Sequence, residues 1–183
     1  AFYFGLPATG SWAWLLASLI IHLGYYVFLG KAYKTGDLGI VYPIARGVAP
    51  LLTTIAGTLF FGEKVSGPAL VGICFIIAGV LILSLVRTRG ITRIDNHALM
   101  FAFLTACTVS AYTFADGFGA RASGNAHGYI AWLFVTDGIA IGALAYFLRG
   151  RVVIDSLHRH WRVGLFGGGM ALAAYWIAIW AMT

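Results

Sequence analysis

The sequence is short of charge. Only 10% of its 183 residues are Asp, Glu, Lys or Arg, whereas 61% are hydrophobic; soluble domains carry about a quarter charged residues. So much apolar side chain excludes an ordinary soluble domain. Acids are scarcer still, 6 against 12 Lys and Arg, for a formal net charge of +6. The basic residues fall in short stretches between apolar runs and form no basic, aromatic-interleaved surface. That excludes a nucleic-acid interface and fits topogenic loops. Cysteine is limited to Cys74 and Cys107, with no C-x-x-C pair and no Cys/His spacing. Neither a disulfide framework nor a zinc site follows, and both are expected to be small core residues. H-E-x-x-H and G-x-S-x-G are missing, as is a phosphate-cradling glycine loop. An intramembrane enzyme would therefore lack its nucleophile or metal constellation, and no soluble cofactor is implied. The opening AFYFGLPATG has neither an initiator Met nor a charged leader; no cleavable signal peptide is identified, and the chain is expected to be a fragment.

What the sequence has is six apolar segments, near 11–30, 38–61, 67–86, 98–115, 128–148 and 163–182. Each meets the requirement of about 20 residues for a spanning helix. They are continuous and too long for the alternating strands of a membrane barrel. The expectation is an all-α, polytopic transmembrane protein, with short connectors at Lys31–Asp37, Glu63–Pro68, Arg87–His97, Asp116–Asn125 and Arg149–Arg162. Trp12 and Trp14 open the first span and Tyr33 closes it, as an aromatic belt at the headgroups would. His22, Tyr25 and Tyr26 share one face deeper in that span; they form either a polar stripe or interhelical hydrogen-bonding glue.

The second span is the most informative. Its run YPIARGVAPLLTTIAGTLFFGE, Tyr42–Glu63, sets Arg46 between Pro43 and Pro50. An ionisable residue in the hydrocarbon is expected to face a protein interior or a wet cavity. Tyr42, Arg46 and Pro50 recur at i+4, with Thr53 and Thr54 on the same face. Pro50 lacks an N–H, which leaves the Arg46 carbonyl without its helical partner. A guanidinium, a phenol and a free carbonyl would suit a ligand bearing a carboxylate. The alternative is that Arg46 snorkels or neutralises a structural acid. Glu63 is expected to complement the start of the third helix, with proton coupling as the lesser reading. Gly72 and Gly79 lie a heptad apart and read as packing scaffold. In the fourth span Thr105, Thr108, Ser110, Tyr112 and Thr113 supply hydroxyls before an expected stop at Asp116-Gly117. The fifth holds Asp137, and Asp137 or Asp116 is expected to balance Arg46. The sixth is glycine-rich early and aromatic late, at Tyr175, Trp176 and Trp180. His158 and His160 read as solvated members of a basic loop.

Sliding the chain by 149 positions matches Trp12 with Trp161, Leu16 with Leu165, Leu23 with Leu172, Tyr26 with Tyr175 and Ala32 with Ala181. Weak similarity of this kind between halves is what repeat-built transporters show. The stretches GKAYKTGDLGIVYPIARGVAPLL, FFGEKVSGPALVGICFIIAGVLIL and AYTFADGFGARASGNAHGYIAWLF carry a resemblance to the drug/metabolite transporter superfamily, specifically its EamA-type permeases. Pro50, Glu63, Gly72 and Gly79 occupy that family's recurring Pro, Glu and Gly positions. The resemblance implies ten helices in two inverted five-helix repeats, of which this chain would supply helices three to eight. Residues 1–87 would end the first repeat, 88–97 would link, and 98–183 would begin the second. It also implies both termini in the cytoplasm, which sets the Arg- and Lys-rich loops after the first, third and fifth spans outside. The positive-inside rule would set those loops inside, and orientation stays open.

The expected function is a secondary transporter, an exporter or permease of the inner membrane moving a small metabolite such as an amino acid by alternating access. Tyr42, Arg46, Pro50, Tyr112, Asp137 and Tyr175 are the candidate substrate-binding residues. The partners are a small-molecule substrate and the lipid bilayer, with no nucleic acid, no metal and no cofactor. Proton coupling through Asp137 or Glu63 is one energy source and facilitated diffusion another. The rival is a non-transporting scaffold or sensor.

Overall fold

A computed structural model describes residues 5–62, 64–87 and 95–180. Six α-helices follow one another: α1 Trp12–Thr35, α2 Leu38–Phe61, α3 Gly67–Arg87, α4 Asn96–Ala122, α5 Ala126–Arg149 and α6 Val152–Trp180. Five of the described helices are long and apolar enough to cross a membrane, and α3 adds the apolar stretch Gly67–Val80. The chain is an all-α, multi-pass membrane protein, as its apolar runs require. Glu63 and the Arg89 and Arg93 of the third connector lie outside the described residues.

The helix ends are written locally. Gly36 donates its N–H to the Ala32 carbonyl at 3.0 Å, closing α1. The next residue, Asp37, accepts from Gly39 N–H at 2.6 Å and caps α2. At the far end of α2, Gly62 takes a φ of 65°, a left-handed turn that a side chain would oppose. Asn125 caps α5 by accepting from Gly128 N–H at 3.0 Å, and Gly150, at φ 61°, closes it. The expected stop at Asp116-Gly117 is not observed. Helix α4 runs six residues further, to Ala122, because the side-chain bonds that terminate it come later: Ser123 Oγ donates to Ala120 O at 2.6 Å and accepts from Asn125 N–H at 3.1 Å.

Contacts divide the chain into two compact units, residues 24–114 and residues 1–23 with 115–183. The core of the first is made of Ala32, Val41, Ala45, Ala98 and Ala102. Small side chains let α1, α2 and α4 approach closely, which is how helices associate where no hydrophobic driving force separates lipid from protein. A β-carbon on Gly36 would lie 2.6 Å from Ala98 Cβ. The core of the second unit is bulkier: Leu15, Tyr129, Ile130, Leu133 and Ile179 around Ala120.

Two expectations about small residues are corrected. Among the described residues, nothing lies within 4 Å of where a β-carbon on Gly72 or Gly79 of α3 would sit, and Cys74 is exposed. The close approach of α2 and α3 is made from the other side, by Gly47, where an added β-carbon would overlap the Val80 side chain and lie 3.0 Å from its Cβ. The sequence pointed to the wrong helix because a heptad of glycines marks a smooth face without saying what meets it. Gly47→Ala is expected to lower stability by about 1–3 kcal/mol through overpacking against a stiff β-branched neighbour. Thermal unfolding in detergent checks this, with Val80→Ala partly restoring the loss.

Candidate functional site

In the unit 24–114, Arg46 sits about a third of the way along α2, facing α1. Its Nη2 donates to the Tyr25 hydroxyl at 2.9 Å. The guanidinium carbon lies 5.7 Å from the Tyr25 ring centre and 5.9 Å from that of Tyr42, within the range of cation–π attraction. Tyr25 is buried and holds its place by edge-on contact with Tyr26 at 4.9 Å and with buried Tyr112 at 5.9 Å. Phenols thus line the cation on the protein side, while Arg46 and Tyr42 are exposed on the other. Among the described residues no carboxylate lies within ion-pair distance of Arg46, and its remaining N–H donors meet no acceptor.

Pro50 completes the helical face, as its i+4 spacing from Arg46 dictates. The nearby hydroxyls do not serve the Arg46 carbonyl: Thr53 donates to Ala49 O at 3.0 Å and Thr54 to Pro50 O at 2.8 Å. Such back-bonding satisfies hydroxyls within the helix itself.

In the unit of residues 1–23 and 115–183 the polar groups gather around Asp116, which is fully buried. Tyr129 on α5 donates to its Oδ1 at 3.2 Å, and Tyr175 on α6 donates to its Oδ2. Ser18 Oγ on α1 lies 3.1 Å from His22 Nδ1, and that nitrogen lies 3.5 Å from Asp137 Oδ2. The His22 ring meets the edge of Tyr175 at 6.4 Å. Asp137 Oδ1 is buried and has no hydrogen-bond partner among the described residues. One acid is therefore fixed by two phenols, while the other keeps one lone-pair oxygen unspent. A pair of carboxylates so arranged can hold a positive charge or a proton.

The six candidate residues thus divide: Tyr42, Arg46, Pro50 and Tyr112 gather in one unit, Asp137 and Tyr175 in the other. Arg46 and the two acids expected to balance it, Asp116 and Asp137, belong to different units. Within its own unit Arg46 is met by phenols, Asp116 accepts from the phenols of Tyr129 and Tyr175, and Asp137 lies beside His22. Sequence reasoning missed Tyr129 and the central place of Asp116. A signal existed in Gly119, one turn from Asp116: a β-carbon there would overlap the Tyr129 hydroxyl and lie 2.6 Å from its Cε2. That glycine clears the slot through which the phenol reaches the carboxylate.

A protein of this architecture, crossing the membrane several times with a cation and two acids in its spans, falls in the class of polytopic membrane proteins with a polar centre. Residues 7–76 match the Small Multidrug Resistance protein family. Multidrug resistance protein EbrB of Bacillus subtilis (strain 168) is 40% identical over 73 residues, 39% of this chain and 62% of that protein. The EbrB of Bacillus atrophaeus is 38% identical over 73 residues, with the same shares. The uncharacterized membrane protein YvaE of Bacillus subtilis (strain 168) is 36% identical over 82 residues, 43% of this chain and 69% of that protein. Through this N-terminal region the chain belongs to the Small Multidrug Resistance protein family. It spans 62% of the length of the two EbrB relatives. No solved structure matches it. The matches do not reach the EamA type expected from the sequence; what they share with that expectation is the coarser class of drug- or metabolite-exporter-like membrane proteins.

Proposed function

We propose that this chain is the membrane-embedded body of a small-molecule exporter whose Arg46 centre receives the anionic group of its substrate. The observation that carries this reading is the Arg46 guanidinium itself: within a spanning helix, phenol-lined on one side, open on the other and without a carboxylate partner among the described residues. An arginine so placed has fork-shaped donors to spare for a carboxylate. Tyr42, Pro50 and Tyr112 form the wall beside it. Asp137 and Tyr175 belong to the other unit's polar cluster, which would hold a coupling proton. Amino acids carry the carboxylate such a guanidinium would receive and are the favoured metabolite class, and the names of the EbrB relatives add drugs. The two-repeat, EamA-like organisation, with residues 1–87 and 98–183 on either side of a linker, is part of the same reading. A scaffold or sensor would have no use for unspent guanidinium donors in the spans.

The test is counterflow. Full-length protein reconstituted in liposomes preloaded with unlabelled solute is expected to accumulate the same labelled solute for at least one member of a panel of amino acids and cationic drugs. No counterflow for any member would remove the reading.

A further inference from the structure

The last helix is too long for its task as a membrane span. Its 29 residues extend about 43 Å at 1.5 Å each, whereas a hydrocarbon core is about 30 Å thick. The surplus is set apart by a break: His160 has φ −118° and ψ 16°, outside the helical range, so α6 is two helical segments joined at a kink. The second, from Trp161 to Trp180, is about 30 Å long and sufficient to span. The first begins at Val152, and the turn at Gly150 ties it to the end of α5.

That first segment is amphipathic. Val153 and Leu157 are spaced i, i+4 with Ile154 beside them, while Asp155 and Arg159 lie on the opposite face, and Trp161 and Arg162 follow directly past the kink. Leu157 is 67% exposed and Trp161 52%. Within 149–162 the sequence sets four arginines, Arg149, Arg151, Arg159 and Arg162, against the single acid Asp155. All four side chains are exposed, and Arg162 stacks its guanidinium 5.4 Å from the centre of the Trp161 ring. The two histidines expected to sit in a loop are on this helix instead, each turned back to a carbonyl one turn earlier: His158 Nδ1 to Ile154 O at 3.0 Å and His160 Nδ1 to Ser156 O at 3.1 Å.

We propose that residues 149–162, from the end of α5 to just past the kink, lie in the membrane interface and dock on anionic phospholipid headgroups, with Leu157 and Trp161 turned to the acyl boundary and the four arginines to the phosphates. Apolar side chains on one face and arginines on the other match the two layers of that interface. The net positive charge selects anionic over zwitterionic lipid. The kink falls two residues before Arg162, the last of these arginines, so the chain turns toward the hydrocarbon where they end.

Full-length protein in vesicles reports this through Trp161 emission, taken as the difference from Trp161→Phe. At equal mole fraction, brominated phosphatidylglycerol is expected to quench that emission about threefold more than brominated phosphatidylcholine. The preference should persist when the four arginines become lysines, fall away when they become glutamines, and weaken in 1 M salt. Equal quenching by the two lipids would overturn the proposal, as would a preference untouched by salt. The salt titration needs only the unaltered arginines, so it decides even where the glutamine variant does not insert.

Discussion

Asp116→Ala is expected to cost about 2–4 kcal/mol of stability, the largest loss among single substitutions in these helices. The carboxylate is fully buried and accepts from two phenols on two different helices. Removing it strands both hydroxyls at once, and each unsatisfied buried donor costs about 1–3 kcal/mol. Interhelical hydrogen bonds in membranes average nearer 0.6 kcal/mol, because the unfolded reference also finds partners. The sum over two bonds and the vacated side-chain volume therefore falls in the middle of the range. Asp116→Asn keeps one acceptor oxygen and should lose about half as much. Tyr129→Phe and Tyr175→Phe each remove a single bond and should cost less again. Unfolding of the purified protein in detergent measures all four, and an Asp116→Ala protein within about 0.5 kcal/mol of the wild type would show that the carboxylate does not anchor α5 and α6.

Arg46→Ala is expected to lower transport at least tenfold while leaving expression and folding intact. Arg46 is exposed on one side and, among the described residues, makes a single hydrogen bond, to Tyr25, so little of the fold rests on it. A charge-assisted bond from an arginine to a substrate carboxylate contributes about 1.5–3 kcal/mol, and about 1.4 kcal/mol is tenfold in affinity. Arg46→Lys keeps the charge but not the planar fork and should fall between the two. Initial uptake rates in reconstituted vesicles, normalised to protein inserted, make the comparison. Unchanged uptake in Arg46→Ala would leave Arg46 a structural residue and favour the scaffold reading.

The helices were legible because each is a continuous apolar run, and their ends because Gly36-Asp37, Gly62, Asn125 and Gly150 are turn and cap residues whose effect is local. The failures lie where the outcome depended on partners distant in sequence. Asp116 looked like a helix stop since an acid followed by glycine commonly leaves a helix, but its lone pairs are satisfied by Tyr129 and by Tyr175, 59 residues away. Arg46 was recognisable as a charge out of place. Its actual neighbours, above all Tyr25 on α1, became visible only once α1 and α2 were packed. Periodicity identified the His22–Tyr25 stripe and could not reveal that its two ends serve different centres: His22 meets Asp137, and Tyr25 meets Arg46. The glycines of α3 were over-read for the same reason, since a small residue is a permission to approach and the approach came through Gly47.

The central claim is that the open side of Arg46 reads a carboxylate. Its direct measurement is counterflow by the full-length protein with the amino acid giving the strongest signal, competed by unlabelled acid and by the amide of the same acid. The acid should compete at least tenfold more strongly than the amide in the wild type, in line with a charge-assisted arginine contact of about 1.4 kcal/mol or more. In Arg46→Gln that discrimination should vanish. A preference for the amide in the wild type, or an undiminished preference for the acid in Arg46→Gln, would contradict the account.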